Sequence, residues 1–307
     1  MDVRFYSRLR PYLQIILLAL VAVVFFLVFN ILAILGAVLF FDIPFSELSD
    51  VFSSGSDNIP LLKFVQILNS IGLFIVPALV IGVLASSKPL QWLGFNNKIS
   101  WLSVGWLLLI IIAMQPLVAY SGVLNQNMHL PDFLSGVEGW MKNMEDKAMG
   151  LTEAFLEVNT FGGLAVNILM VAIIPGIGEE LFFRGMIQAI FTKWFKNVHI
   201  AIIVTAFLFS ALHMQFYGFL PRFLLGILFG YIFVWSGNLW FPILAHLVHN
   251  TIPVVAYYVY SGELTETTVD SIVTSPTAWI YALIGAGFLV LLCMRFRDTT
   301  MKLNVKQ

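Results

Sequence analysis

Residues 12–41 contain no charged side chain, and further long apolar runs follow to the end of the chain. A hydrocarbon layer about 30 Å thick takes roughly 20 residues of α-helix, and within it only helices or closed barrels satisfy their own backbone. The runs, at 12–41, 61–85, 101–123, 162–194, 199–217, 220–236, 239–260 and 277–294, are too long for barrel strands. The expectation is an all-α, polytopic membrane protein of about eight transmembrane helices. Composition agrees: 60% of the 307 residues are hydrophobic and 11% are charged, whereas soluble domains carry about 25% charged residues. The first run is far longer than a signal-peptide core and ends in no small-residue cleavage site, so it is read as a retained first span.

Charge and cysteine usage remove whole classes of function. With 16 Lys and Arg against 17 Asp and Glu, no global field recruits nucleic acid; the expected partners are the lipid bilayer and a membrane-associated peptide or protein. The one cysteine, Cys293, lies in the last apolar run, which rules out an internal disulfide and a cysteine-based zinc cluster. Orientation follows from Lys and Arg beside the spans. Arg4, Arg8, Arg10, Lys88, Lys98, Lys193, Lys196, Arg295, Arg297, Lys302 and Lys306 fall on one side, and Asp42, Glu47, Asp50, Asp57, Glu263, Glu266 and Asp270 on the other. Both termini are therefore expected in the cytoplasm, with Lys63, Lys142, Lys147 and Arg222 as outward exceptions. The short loops suggest a bacterial cell membrane.

Between residues 124 and 161, Phe133, Leu134, Val137, Trp140, Met141 and Met144 recur at helical spacing opposite Glu138, Lys142 and Glu145. That pattern predicts an amphipathic helix in the outer interface. Without repeats or linkers, the chain reads as one integrated membrane domain: residues 1–161 with three spans and the amphipathic segment, 162–260 as a core, and 261–307 as the last span and tail.

An ionisable side chain near the bilayer centre costs at least ~2.5 kcal/mol on insertion scales, so each needs a partner or a task. Within the runs these are Glu179, Glu180, Arg184, His213, His246 and His249, with the amide Asn250. Lys63 and Arg222 stand at run ends, where snorkelling to water is expected. Glu180 and Arg184, four apart with the acid first, predict an intrahelical ion pair. Glu179 lies about 100° round the helix and is the more available carboxylate. Pro175, Gly176 and Gly178 precede it, and a proline inside a helix removes one hydrogen bond and predicts an opening there. His246 and Asn250 share a helical face; His249 is adjacent and its part is open. At 1.5 Å of rise per residue, Glu179 and His213 lie roughly 21 Å from the cytoplasmic ends, Asn250 about 16 Å and His246 about 10 Å, compatible with one site inside the bundle. Gly226 and Gly230 form a GxxxG face that predicts close helix packing.

These residues read Glu179-Glu180-Leu-Phe-Phe-Arg184, Phe209-Ser-Ala-Leu-His213 and His246-Leu-Val-His-Asn250. In order, they resemble the EExxxR, FxxxH and HxxxN motifs of the CPBP family, the CAAX proteases and bacteriocin-processing enzymes also called Abi proteins. The resemblance implies an intramembrane endopeptidase in which Glu179 and His213 activate water, His246 and Asn250 stabilise the oxyanion, and Glu180 and Arg184 support the site. The residue types suit amide hydrolysis on their own: a base, oxyanion donors and a water-excluding setting. No cofactor is favoured. Zinc held by Glu179, His213 and His246 is the alternative, although no HExxH occurs and Asn250 is a poor zinc ligand. A proton-coupled transporter and a non-enzymatic immunity or scaffold protein are the readings from other classes. Transporters are usually built from repeats, whereas the polar cluster here occupies one half of the chain.

Overall fold

The computed structural model describes residues 4–47, 58–95, 99–260, 275 and 277–305, with side chains as far as Lys302. Asp50, Asp57, Lys98, Glu263, Glu266, Asp270 and Lys306, used above for orientation, lie outside the described residues. The regular elements among those described are helices: α1 (Pro11–Phe40), α2 (Ile59–Ala85), α3 (Trp101–Gln126), α4 (Ser135–Leu156), α5 (Phe161–Phe195), α6 (Val198–Ala211), α7 (Phe219–Ser236), α8 (Trp240–Tyr260) and α9 (Ala278–Val305), with short turns between. The protein is an all-α polytopic membrane protein.

Six of these helices, α1, α2, α3, α5, α9 and α7 with the turn before it, are long and apolar enough to cross a membrane. The sequence reading counted eight runs. The difference falls on α6, only 14 residues long, and on α8, 21 residues long but diluted by His246, His249 and Asn250. Both carry residues of interest. The run at 199–217 is apolar throughout, yet α6 ends at Ala211 because Met214 turns the chain into the left-handed region at φ 54°. Asn125 on α3 then braces the turn, donating to the Phe216 carbonyl at 3.0 Å and accepting from the Leu220 N–H at 2.6 Å. His213 therefore sits in a turn and not inside a span. At the other end of the chain, α9 continues well past residue 294, since Arg295 to Lys302 contain no helix breaker and Phe296 is buried edge-on against Phe241, 5.3 Å between centroids.

Burial divides the interior in two. One apolar cluster joins α1, α2, α5 and α6 through residues such as Leu18, Ile81, Phe183 and Phe209. The other joins α3, α7, α8 and α9 through Ile110, Phe229, Ala245 and Phe296. Their seam runs between α5 and the pair α7 and α8. The N-terminal turn, the end of α2 and the end of α5 share one side of the molecule, since Arg4 donates to the Val83 carbonyl at 3.0 Å and Lys193 to that of Ser7 at 3.2 Å. Lys63 departs from the snorkelling expectation: it is buried and donates to Asn167 Oδ1 on α5 at 2.7 Å, because it faces the neighbouring helix.

Candidate active site

The local shape of α5 starts from Pro175. With no N–H it cannot donate to the Val171 carbonyl four residues back, and the helix widens into a π-turn over Leu169–Ile173. The freed carbonyl accepts from Asn250 Nδ2 on α8 at 2.9 Å. Gly176 lets α8 approach, since a Cβ there would stand 3.3 Å from the Leu247 backbone nitrogen. A second π-helical stretch, Leu181–Gln188, rotates the next residues inward so that all eight are buried. Such widened turns occur mostly as local features at functional positions.

Arg184 is wholly buried on the seam. Its guanidinium carbon lies 4.8 Å from the Phe209 ring of one cluster and 5.5 Å from the Phe229 ring of the other. Nη1 donates to Glu180 Oε1 at 2.7 Å and Nη2 to the Gly226 carbonyl at 3.0 Å. One turn on, Gln188 Nε2 donates to the Gly230 carbonyl at 3.2 Å. The GxxxG face therefore gives close packing, as expected, and also two carbonyls that hold α5. Glu180 does more than neutralise Arg184, because the same Oε1 stands 2.9 Å from His246 Nδ1. A carboxylate only accepts, so His246 donates from Nδ1, and in the neutral imidazole the lone pair is on Nε2.

That Nε2 lies 3.9 Å from Glu179 Oε2, outside hydrogen-bond range but close in Coulomb terms. Glu179 Oε2 is buried and has no hydrogen-bond partner. His213 also spends Nδ1–H on a carbonyl, that of Phe209 at 2.7 Å, which leaves its Nε2 lone pair free. Both rings lean on Phe209, with centroids 5.0 Å away for His213 and 6.0 Å for His246. Glu179, His213, His246 and Asn250 line one cavity of about 610 Å³. Glu180 and Arg184 stand behind its wall, fully buried. Glu179 and His246 are neighbours on the cavity wall, because Glu180 draws the imidazole to α5.

Several lining residues escaped sequence reasoning. Leu151, Thr152 and Phe155 of α4 close over the cavity, so the amphipathic helix is part of its wall. Its polar side is also tied down: Glu145 Oε2 accepts from the Tyr217 N–H at 3.2 Å, and exposed His129 lies 2.9 Å from Glu138, holding that carboxyl below its usual range. His249, left open above, lines the cavity as well. Its Nδ1 is 3.3 Å from Gln115 Nε2, which also donates to the Ile111 carbonyl at 2.9 Å. The carbonyl fixes the amide orientation, so His249 Nδ1 accepts and its proton sits on Nε2. Among the described residues no group of three or more His, Cys, Asp or Glu side chains is arranged to hold a metal ion.

Residues 161–252 match the family described as type II CAAX prenyl endopeptidase Rce1-like. That stretch of the chain is similar to this family. The match begins at the first residue of α5 and ends in α8, so it encloses Glu179, Glu180, Arg184, His213, His246 and Asn250 and leaves out α1 to α4 and α9. No curated protein and no solved structure matches the chain. The matched stretch lies in an integral membrane protein, and the similarity is consistent with a CAAX-type intramembrane protease family.

Proposed function

We propose that the chain is an intramembrane endopeptidase that hydrolyses a peptide bond in a membrane-associated protein or peptide, CAAX-like or other. The observation that carries this reading is the free Glu179 carboxylate facing a cavity shared with His213, His246 and Asn250. In the proposed reaction, water held between Glu179 and the His213 Nε2 lone pair attacks the scissile carbonyl carbon and gives its proton to Glu179. The negative charge that develops on the carbonyl oxygen needs donors. Asn250 has a second amide N–H beyond the one given to Val171, and His249 offers Nε2–H.

His246 lies within proton-relay reach of Glu179. When its Nε2 takes up the proton, Glu180 at Nδ1 stabilises the imidazolium, in the way a buried aspartate supports the histidine of a serine-protease triad. The imidazolium then donates to the oxyanion and to the departing amine, so the proton taken from water ends on the leaving nitrogen. No step requires a metal. We further propose a bacterial cell membrane, supported by the short loops, with both termini cytoplasmic, supported by the Lys and Arg asymmetry.

The test is cleavage of quenched fluorescent peptides by the full chain in lipid nanodiscs, repeated with Glu179→Ala and with chelator. Turnover that survives chelation and disappears with Glu179 supports the reading. Turnover indifferent to Glu179→Ala sinks it, and turnover lost to chelator and restored by zinc replaces it with the metal-dependent alternative. Comparing membrane proteomes of cells with and without an active Glu179 then identifies the substrate.

A further inference from the structure

The cavity that holds Glu179 belongs to one end of the bundle. Among the described residues its lining takes Met170, Val171, Pro175 and Glu179 from α5 and nothing later in that helix, while α8 contributes only from His246 onward and α6 only at Phe209. The end of α5 and the starts of α6 and α8 are left out. Those parts lie with the termini: Lys193 near the end of α5 donates to the Ser7 carbonyl at 3.2 Å, and the Leu239 N–H beside the start of α8 donates to the Gly94 carbonyl at 2.9 Å, just after α2. Phe296 packs on Phe241, which brings the far part of α9 to the same end.

Toward the termini the cavity is closed. Leu181–Gln188 of α5 are all buried, Arg184 and Gln188 are tied to the Gly226 and Gly230 carbonyls, and Phe183 meets Phe209 edge-on with centroids 5.2 Å apart. An interior packed in this way has no room for a peptide. The opposite end is different. There α4, which follows the end of α3 and precedes α5, covers the cavity with Leu151, Thr152 and Phe155, and Thr152 and Gln215 also line a second cavity of about 430 Å³ with Glu145, Met149, Glu153 and Tyr257. Met149, Thr152 and Glu153 are exposed, so the two cavities together run from the surface beside α4 to Glu179.

The two ends also differ in charge. Arg8, Arg10, Lys88, Lys193, Lys196 and Arg297 stand at the closed end, whereas the exposed lysines of α4, Lys142 and Lys147, are set among Glu138, Glu145, Asp146, Glu153 and Glu157. Basic residues beside spans favour the cytoplasmic side, which gives the closed end to the cytoplasm.

We propose that the catalytic cavity opens on the outer face of the membrane, beside α4, and that its substrate is an exported, membrane-anchored protein or peptide presented on that face. The proposal rests on the endopeptidase reading and the orientation above, and it adds where the substrate stands. A protein in the cytoplasm would meet the closed end. Cleavage therefore follows translocation, so the step that supplies this substrate is the export of a membrane-anchored chain. Water for hydrolysis enters by the same route, past Glu145 and Glu153.

The first experiment reports the two ends separately. Cys293→Ala removes the one cysteine of the chain, and a single new thiol is then placed by Met149→Cys beside α4 or by Arg297→Cys at the closed end. In intact spheroplasts a membrane-impermeant maleimide should modify Met149→Cys, and should reach Arg297→Cys only once the membrane is opened. Labelling of Arg297→Cys alone, or of both, overturns the proposal. In detergent, where both ends are wet, a maleimide carrying a long polyethylene glycol chain should remove most peptide cleavage when attached at Met149→Cys and little when attached at Arg297→Cys, each rate being taken relative to the same variant unlabelled. An adduct at Met149→Cys that leaves the rate unchanged overturns entry beside α4. A peptide cleaved in nanodiscs is then carried on a single-span anchor, outside or inside the cell membrane. Wild type should cut only the outer copy and Glu179→Ala neither, and cutting of the inner copy by wild type overturns the proposal. If no peptide is cleaved in nanodiscs the hydrolase reading fails by itself, and the labelling pattern still decides whether the cavity opens outward.

Discussion

Two adjacent carboxylates, Glu179 and Glu180, should separate cleanly into chemistry and architecture. Glu180 Oε1 accepts from Arg184 Nη1 at 2.7 Å and His246 Nδ1 at 2.9 Å, and all three residues are buried. Removing one partner of a buried ion pair costs about 3–5 kcal/mol, because the remaining charge is left uncompensated. The hydrogen bonds to His246 and Arg184, each worth about 1.5–3 kcal/mol when charge-assisted, overlap with that figure and do not add to it. At roughly 2 °C per kcal/mol, the thermal midpoint of Glu180→Ala in detergent should fall by roughly 6–10 °C. Among the described residues Glu179 makes no hydrogen bond, and His246 Nε2 stands 3.9 Å from its Oε2. Glu179→Ala strands no partner and removes a carboxylate whose Oε2 is buried unpaired, so it should leave stability unchanged or raise it, while turnover falls by about 10²–10⁴, the usual contribution of a general base. Thermal unfolding followed by tryptophan fluorescence, beside peptide cleavage below the midpoint, measures both quantities. Glu180→Ala should keep some turnover. Full stability with abolished turnover in Glu180→Ala, or an equal loss of stability in Glu179→Ala, would refute the division of labour.

Asn250→Ala should cost about 1–3 kcal/mol by stranding the Val171 carbonyl, and Pro175→Ala, which returns an N–H to α5, should recover much of that stability without recovering turnover; thermal midpoints and rates of the double variant test it. In Gly226→Ala the new Cβ would meet Ala206 Cβ at 2.9 Å and its Cα at 3.0 Å, so α6 and α7 separate at a cost of about 1–3 kcal/mol and Arg184 loses an acceptor, seen as a lower midpoint and lower activity together. Reporter fusions at Gln307 and near Asp57 should report opposite sides of the membrane, and the same side for both would break the proposed topology.

How far the sequence could be read depended on how local each interaction is. The Glu180 to Arg184 pair lies within one helical turn, so spacing alone predicts it. The Glu180 to His246 bond joins α5 to α8, and no periodicity encodes a contact between helices or the ring tautomer that follows from it. The end of α6 was hidden for a related reason. Residues 199–217 read as one apolar run, and what stops the helix is Met214 in the left-handed region together with Asn125, which comes from α3. Lys63 and Arg222 looked alike at run ends, yet one is buried against Asn167 and the other folds onto Gln215, because each answers to the helix it faces. The opening expected at Pro175 was legible, since a missing N–H is a property of the residue itself; that Asn250 would answer the freed carbonyl was not.

Helices in lipid gain little from apolar contact alone, so small-residue faces and interhelical hydrogen bonds must hold them together. In this chain the same groups that hold the helices also face the cavity. His213 spends Nδ1 on Phe209, His246 spends Nδ1 on Glu180, and Asn250 spends one amide N–H on Val171. Each is thereby fixed in place by one end, and its other end, a lone pair or a second donor, is left toward the cavity. Asn125, by contrast, is paired at both ends, with Phe216 and Leu220. Glu179 goes further, with Oε2 unpartnered beside three residues anchored in this way. A carboxyl oxygen buried without a partner is expensive to keep. Its placement where fixed donors and acceptors converge is what the proposed hydrolysis needs, so that one set of helix contacts would both assemble the bundle and prepare the site.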